Sequence, residues 1–125
     1  MSDKKLRILI VDDEEDVRET LCENLLACGF EVTSAVDGID AEQQMGKSLP
    51  DLVITDIIMP RREGLETITE IRKKYPQVKL IAISGGGRTN TTDFLALAEK
   101  LGADGVLAKP IELDELEKMI RKVTR

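Results

Sequence analysis

The stretch LRILIVDDEEDVRETL, residues 6–21, changes character near its midpoint. Its first six residues are almost continuously apolar, which predicts a strand that is covered on both faces, as in a parallel sheet. From Val17 onward, apolar residues recur at helical spacing, at Leu21 and Leu25, and Gly29 marks the predicted end of that helix. A buried strand followed directly by a helix is the repeating unit of an α/β fold.

The same switch from a strand pattern to a helix pattern recurs along the chain. Further strands are predicted at 31–35, 51–55, 79–84 and 105–108. Further helices are predicted at 39–46, around Leu65, Ile68 and Ile71, around Phe94, Leu97 and Leu101, and around Leu113, Leu116, Ile120 and Val123. This strict alternation predicts an α/β fold with a five-stranded parallel sheet and helices on both faces. The expected strand order is 2-1-3-4-5, the flavodoxin-like, doubly wound (βα)5 arrangement.

The length of 125 residues and the even composition indicate one domain, which we expect to cover residues 1–125 with a core of about 5–123. A net charge of -6 argues against direct binding to nucleic acid or to an anionic membrane surface, because their phosphates attract basic patches. No apolar run approaches the ~20 residues of a membrane span. Histidine is absent, which excludes histidine-based catalysis and histidine metal ligands within this chain.

The two cysteines, Cys22 and Cys28, lie six positions apart in the first helix pattern. A rise of about 1.5 Å per residue would separate their Cα atoms by roughly 9 Å. That exceeds the reach of a disulfide, which is about 7 Å. We therefore expect two reduced thiols and a cytoplasmic protein.

Polar residues follow the predicted strands at the edge where ligands of open α/β sheets bind. Asp12 and Asp13 follow the first strand, Asp56 the third, Ser84 ends the fourth and Lys109 follows the fifth. Clustered carboxylates repel one another unless a proton or a cation intervenes, and oxygen ligands suit Mg²⁺. A lysine and a hydroxyl nearby would hold the oxygens of a phosphoryl group. Asp56 is the candidate nucleophile that becomes an aspartyl-phosphate.

Each of these residues also has an ordinary structural interpretation when taken alone. Asp12 and Asp13 could be N-caps of the first helix. Asp56 could begin a turn, Ser84 could be an ordinary polar residue at the start of a loop, and Lys109 could be a surface residue. Only the joint placement of all five at one edge favours a site.

The segments VDDEEDVRETL, LVITDIIMPRREGLE, IAISGGG and GADGVLAKPIELDEL resemble the receiver domain of bacterial two-component response regulators over residues 5–123. The resemblance implies that Asp56 accepts phosphate from a histidine on a sensor kinase or a phosphotransfer protein. It also implies that Asp13, Asp56 and the backbone carbonyl of Ile58 ligate Mg²⁺, with Asp12 acting largely through water. The chain would be a stand-alone switch and not an enzyme, similar to the chemotaxis and sporulation receivers.

The resemblance further implies a switch built on Ser84, Val106, Lys109 and Pro110, with a cis bond between Lys109 and Pro110. Val106 departs from the family pattern, because an aromatic residue usually stands there and swings inward as the hydroxyl residue moves. Valine has little reach and few rotamers. The surface formed by the fourth helix, the fifth strand and the fifth helix would bind a downstream protein target.

Three alternatives remain open at this point. One is an interaction module on the same fold that works without phosphorylation, which Val106 supports. Another is an Asp-nucleophile phosphatase of the haloacid dehalogenase type, although that class has D-x-D after its first strand and this chain has adjacent acids. A flavin-binding domain is a third, opposed by the acidic loop after the first strand and by an aromatic content of only 2%.

Overall fold

Five parallel strands form one sheet in the computed structural model, which describes residues 5–57, 64–84, 96 and 98–125. The strand order is β2-β1-β3-β4-β5, so the predicted order is confirmed. The strands are β1 (Arg7–Val11), β2 (Glu31–Ala35), β3 (Leu52–Asp56), β4 (Lys79–Ser84) and β5 (Gly105–Ala108). The predicted bounds are confirmed for β2, β4 and β5, whereas β1 begins one residue later and β3 lies one residue further along the chain.

A helix follows each strand. The helices are α1 (Glu15–Ala27), α2 (Gly38–Lys47), α3 (Gly64–Lys74), α4, which is described at residues 96 and 98–101, and α5 (Leu113–Val123). Gly29, the predicted end of the first helix, and Gly102, which directly follows α4, have φ angles of +98° and +119°, a backbone conformation that favours glycine. Within the described parts of the chain, no helix combines the length and the apolar character that a membrane span needs.

The sheet separates two hydrophobic cores, each built from side chains that alternate along the strands. The α1/α5 core packs these two helices against one face of the sheet, through Leu21 and Leu25 of α1 and Leu116 and Ile120 of α5. The core on the opposite face receives α2, α3 and α4, with Met45, Ile68 and Ala98 among its members. Helices on both faces complete the doubly wound architecture that the sequence predicts.

Cys22 lies within α1 and Cys28 is its C-cap residue. Both are free cysteines, so the predicted absence of a disulfide between them is confirmed. Both residues are half-buried and lie beside the α1/α5 core.

Backbone hydrogen bonds extend the sheet beyond the carboxyl ends of its strands. The N–H of Asp12 donates to the carbonyl of Ala35 at 3.2 Å, and the N–H of Lys109 donates to the carbonyl of Ser84 at 2.8 Å. In the sheet register, Asp56 lies opposite Ile83. Residues far apart in sequence are therefore held at one edge by the sheet itself.

Arg72, in the last turn of α3, anchors the opposite edge of the sheet. Its guanidinium donates to the carbonyls of Pro76, Val78 and Gly102 and to the carboxylate of Asp104, over 2.8 to 3.2 Å. The same Asp104 oxygen accepts the N–H of Leu80 at the start of β4. One planar, multiply bonded cation thus joins α3, β4 and the turn between α4 and β5.

We expect Arg72→Met to lower the free energy of unfolding by about 2 to 3 kcal/mol, because several charge-assisted bonds to fixed backbone carbonyls are lost together. Urea denaturation measures the change. Lys73→Met, at an exposed neighbouring position of α3, is the matched control and should stay within about 0.5 kcal/mol of the wild type. Equal losses in the two variants would contradict the anchoring role of Arg72.

Candidate functional site

Asp56 is the last residue of β3, the central strand of the sheet, and only 6% of its surface is exposed. The hydroxyl of Thr55 donates to the Asp56 carbonyl at 2.9 Å. The next residue, Ile57, donates its N–H to Ile83 at 3.0 Å. The backbone on both sides of the carboxylate is therefore fixed, which gives its side chain a defined direction.

Asp12 is 3% exposed and follows β1, the strand adjacent to β3. Its Oδ1 accepts the N–H of Glu14 at 2.9 Å. The N-cap residue of α1 is Glu14, whose side chain makes no capping hydrogen bond. The alternative that Asp12 or Asp13 is the N-cap of α1 is therefore wrong, although Asp12 does order the turn that precedes the helix.

Lys109 lies between these carboxylates. Its Nζ is 2.9 Å from Asp56 Oδ2, where it donates a hydrogen bond, and 3.5 Å from Asp12 Oδ2. A third acid, Glu14, lies 3.8 Å away at the solvent side. Burial alone would lower the pKa of Lys109, but the hydrogen bond to Asp56 and the charges of the three acids outweigh burial and raise it. The ammonium therefore stays charged.

Asp12, Asp13 and Asp56 each place a carboxylate oxygen within 4.8 Å of those of the other two. Asp12 and Asp56 are buried and Asp13 is exposed, so the cluster opens to solvent on one side. Oxygen donors with access to water are the environment that Mg²⁺ prefers, because it keeps part of its hydration shell in proteins. The residues present therefore fit Mg²⁺.

The pKa of Asp12 is raised above its ordinary value. Burial is the main cause, opposed by the N–H of Glu14 and the charge of Lys109 and reinforced by the charges of Asp56 and Asp13. The folded protein therefore binds a proton at Asp12 more readily than the unfolded chain does. Ionised Asp12 costs stability at pH values above its folded-state pKa, and this cost disappears below the pKa of the unfolded chain.

We expect Asp12→Asn to raise the urea midpoint of the metal-free protein at pH 7 by a few tenths of a molar. Asparagine keeps the acceptor for Glu14 N–H but removes the buried charge. The gain should shrink as the pH falls through the ordinary range of an aspartic acid. Asp114→Asn, at an exposed position of α5, is the control. A gain that is absent at pH 7, or that persists unchanged at acidic pH, would contradict the electrostatic account.

Ser84 ends β4 and is fully buried. Within the described part of the structure, its Oγ has no hydrogen-bond partner. A buried hydroxyl without a partner costs free energy, so such a group calls for an explanation. The carbonyl of Ser84 is bonded to the N–H of Lys109, which ties its backbone to the lysine of the site. A ligand oxygen at the site would provide the missing partner.

We expect Ser84→Ala to leave the free energy of unfolding of the unmodified protein unchanged or up to about 1 kcal/mol higher, because no bond is lost. Thr55→Val is the matched control: it removes a hydroxyl that is equally buried but bonded, and should cost about 1 kcal/mol. Urea denaturation of both variants tests the comparison. A loss in Ser84→Ala as large as that in Thr55→Val would show that the Ser84 hydroxyl already has a partner.

The remaining predicted positions are found as follows. Val106 is half-buried and packs against the core on the α2/α3 side of the sheet. The bond between Lys109 and Pro110 is cis, as the resemblance implied. Ile58, with its predicted carbonyl ligand, lies outside the described residues.

Two residues at the site were missed by sequence reasoning. Glu14 adds a third acid beside Lys109, and the Arg18 guanidinium donates to the Asp12 carbonyl at 2.8 Å. Side chains of a helix lean toward its N-terminus. A long cation in the first turns of α1 could therefore have been expected to reach back to the loop after β1.

A groove of about 660 Å³ opens beside Lys109, between α1 and the segment that leads into α5. Its walls are largely apolar and include Val17 and Leu21 on one side and Ile111 and Leu113 on the other. Glu14 and Asp16 lie at its margin. The site therefore borders an apolar surface that a protein side chain can enter.

Comparison with known proteins agrees with this geometry. Residues 8–121 match the family model of the response regulator receiver domain. Response regulator MprA of Mycobacterium leprae (strain TN) is 34% identical over 120 residues, which are 96% of this chain and 51% of MprA. Transcriptional regulatory protein PrrA of Mycobacterium bovis is 36% identical over 119 residues, 95% of this chain and 50% of PrrA. The chain spans about half the length of these curated relatives.

Solved structures give the same result. The receiver domain of NtrX from Brucella abortus aligns with a TM-score of 0.87 at 31% identity, covering 94% of this chain and 97% of that one. Chemotaxis protein CheY4 of Vibrio cholerae aligns with a TM-score of 0.85 at 26% identity, covering 96% of this chain and 99% of that one. The similarity therefore extends over the whole sheet and the edge that carries the acids.

Proposed function

Since this chain belongs to the response regulator receiver family, we propose that it is a signalling switch phosphorylated on Asp56. Receiver domains take phosphate from histidine kinases. One observation carries the proposal: the Asp56 carboxylate ends the central strand, with the Lys109 ammonium at 2.9 Å and the oxygens of Asp12 and Asp13 within 4.8 Å. The donor is a phosphohistidine of a sensor kinase or a phosphotransfer protein.

In the proposed transfer, an Asp56 carboxylate oxygen attacks the phosphorus of the donor and the P–N bond of the phosphohistidine breaks. The electron pair of that bond leaves with the imidazole nitrogen, and the product is an aspartyl-phosphate. Asp13 and Asp56 would hold Mg²⁺, with Asp12 acting largely through water, and the bound ion would supply positive charge beside the phosphoryl oxygens.

Lys109 and Ser84 hold the oxygens of the transferred phosphoryl group. Lys109 contacts Asp56 before phosphorylation and can remain beside the oxygens that the reaction adds. The buried Ser84 hydroxyl gains an acceptor by moving toward the phosphate, which satisfies its hydrogen-bonding capacity. Phosphorylation thereby moves the carboxyl ends of β4 and β5 toward the phosphoryl group.

The output of the switch is a change in protein binding. The partner surface is formed by α4, β5 and α5, and its state follows the positions of Ser84, Lys109 and Pro110. Val106 already packs against the core, so this chain switches without a swinging aromatic ring. Phosphorylation changes which of two conformations of the receiver is more populated, and the partner binds one of them more tightly.

Several finer points also belong to this proposal. The chain acts as a receiver in the cytoplasm, and it catalyses only its own phosphorylation and dephosphorylation. Its partners are proteins, and it makes no direct contact with nucleic acid or membrane. The net charge of -6 supports the last point.

The test is intact mass after incubation with Mg²⁺ and a small acyl-phosphate donor. We expect one phosphoryl group on the wild type, and none on Asp56→Asn or after Mg²⁺ is removed by a chelator. Asp114→Asn, at an exposed position of α5, controls for loss of an unrelated carboxylate and should be labelled like the wild type.

Two outcomes would contradict the proposal. A wild-type protein that stays unlabelled, under conditions in which a known receiver is labelled, would favour an interaction module that works without phosphorylation. Continued release of phosphate from an ester substrate, many times per protein molecule, would favour an Asp-nucleophile phosphatase.

A further inference from the structure

Three hydrogen bonds converge on Asp12 and fix its orientation. Its N–H donates to the Ala35 carbonyl at 3.2 Å, so the residue prolongs the pairing of β1 with β2. Its Oδ1 accepts the N–H of Glu14 at 2.9 Å. Its carbonyl accepts a hydrogen bond from Nη1 of Arg18 at 2.8 Å. The backbone and one carboxylate oxygen are thus all engaged, and Oδ2 is the oxygen that points to Lys109.

Arg18 is itself held in place by α1. Its backbone N–H donates to the Glu14 carbonyl at 3.0 Å, the first hydrogen bond of the helix. The half-buried side chain then reaches back to the loop between β1 and α1, where Asp12 and Asp13 lie. The arginine therefore bridges a rigid helix and the short loop that carries two of the three clustered acids.

We propose that Arg18 is a positioning residue for the metal site: its bond to the Asp12 carbonyl sets the direction of the Asp12 and Asp13 carboxylates. This inference rests on the proposed function, in which these acids bind Mg²⁺. Groups that orient metal ligands commonly change metal affinity by about 10- to 100-fold when they are removed. Arg18 would act through the loop, by its bond to the Asp12 carbonyl, and not as a ligand of the metal or the phosphoryl group.

Because Arg18 is positively charged, a positioning role and a purely electrostatic role predict opposite changes in Mg²⁺ affinity when it is replaced. A guanidinium near the acidic cluster repels Mg²⁺, so loss of its charge alone would strengthen Mg²⁺ binding. Loss of a bond that orients the ligands has the opposite effect. The direction of the change in affinity therefore separates positioning from through-space electrostatics.

The experiment is calorimetric titration of the full chain with MgCl2, without a phosphoryl donor and at fixed pH and ionic strength. We expect Arg18→Gln to weaken Mg²⁺ binding about tenfold. Arg18→Lys, which keeps the charge and one donor group, should lie between Arg18→Gln and the wild type. Arg121→Gln is the matched control: it removes an arginine of α5 that stacks on Phe30, just before β2 at the other end of the sheet, and should bind Mg²⁺ like the wild type.

A second readout separates positioning from general destabilisation. Thermal unfolding identifies a temperature at which every variant is folded, and all titrations are made there. At saturating Mg²⁺, Arg18→Gln should be phosphorylated by a small acyl-phosphate at nearly the wild-type rate, because only the Mg²⁺ requirement has changed. If Arg18→Gln does not fold, Arg18→Lys provides the same comparison with a smaller shift.

The outcomes are distinguishable. Unchanged or tighter Mg²⁺ binding by Arg18→Gln, beside normal binding by the wild type, overturns the positioning role and leaves the phosphoryl switch intact. A wild-type protein that does not bind Mg²⁺ at millimolar concentration overturns the metal site, and the role of Arg18 with it. Weaker binding in both Arg18→Gln and Arg121→Gln also overturns the proposal, because the effect would not be specific to the loop.

Discussion

Mutual repulsion among three carboxylates is the constraint on which the organisation of this protein depends. Two of them, Asp12 and Asp56, are removed from water at the end of a hydrophobic sheet, where their charges are costly. The ammonium group of Lys109 contacts both carboxylates and reduces their repulsion. One ammonium offsets only part of the charge of three carboxylates, so the unmodified site keeps an excess of negative charge that a divalent cation can reduce.

Sheet topology makes such a cluster possible. The order β2-β1-β3-β4-β5 places β1 beside β3, so the loops after these strands leave the sheet next to each other. Backbone hydrogen bonds beyond the strand ends tie Asp12 to Ala35 and Lys109 to Ser84. A ligand at this edge therefore meets groups held by one sheet, and a small displacement of β4 or β5 reaches the helices packed on both faces.

The sequence predicted the sheet almost completely, because long apolar runs and regular helical spacing are local signals. It also predicted that Asp12, Asp13, Asp56 and Lys109 meet at the edge, since the strand order determines where their loops leave the sheet. It did not predict the bond from Arg18 to the Asp12 carbonyl or the anchor made by Arg72, because both depend on where long side chains go once the helices are packed. Among the described residues the Ser84 hydroxyl has no hydrogen-bond partner, and this too depends on the three-dimensional surroundings and not on spacing.

The α1/α5 core has a consequence for how the chain matures during its synthesis. Leu21 and Leu25 pack with Leu116 and Ile120, which are synthesised almost a hundred residues after them. The other face of the sheet can gather α2 and α3 while translation continues. Until α5 has been synthesised, the nascent chain therefore exposes the apolar side chains of α1, and during that interval a chaperone can bind them.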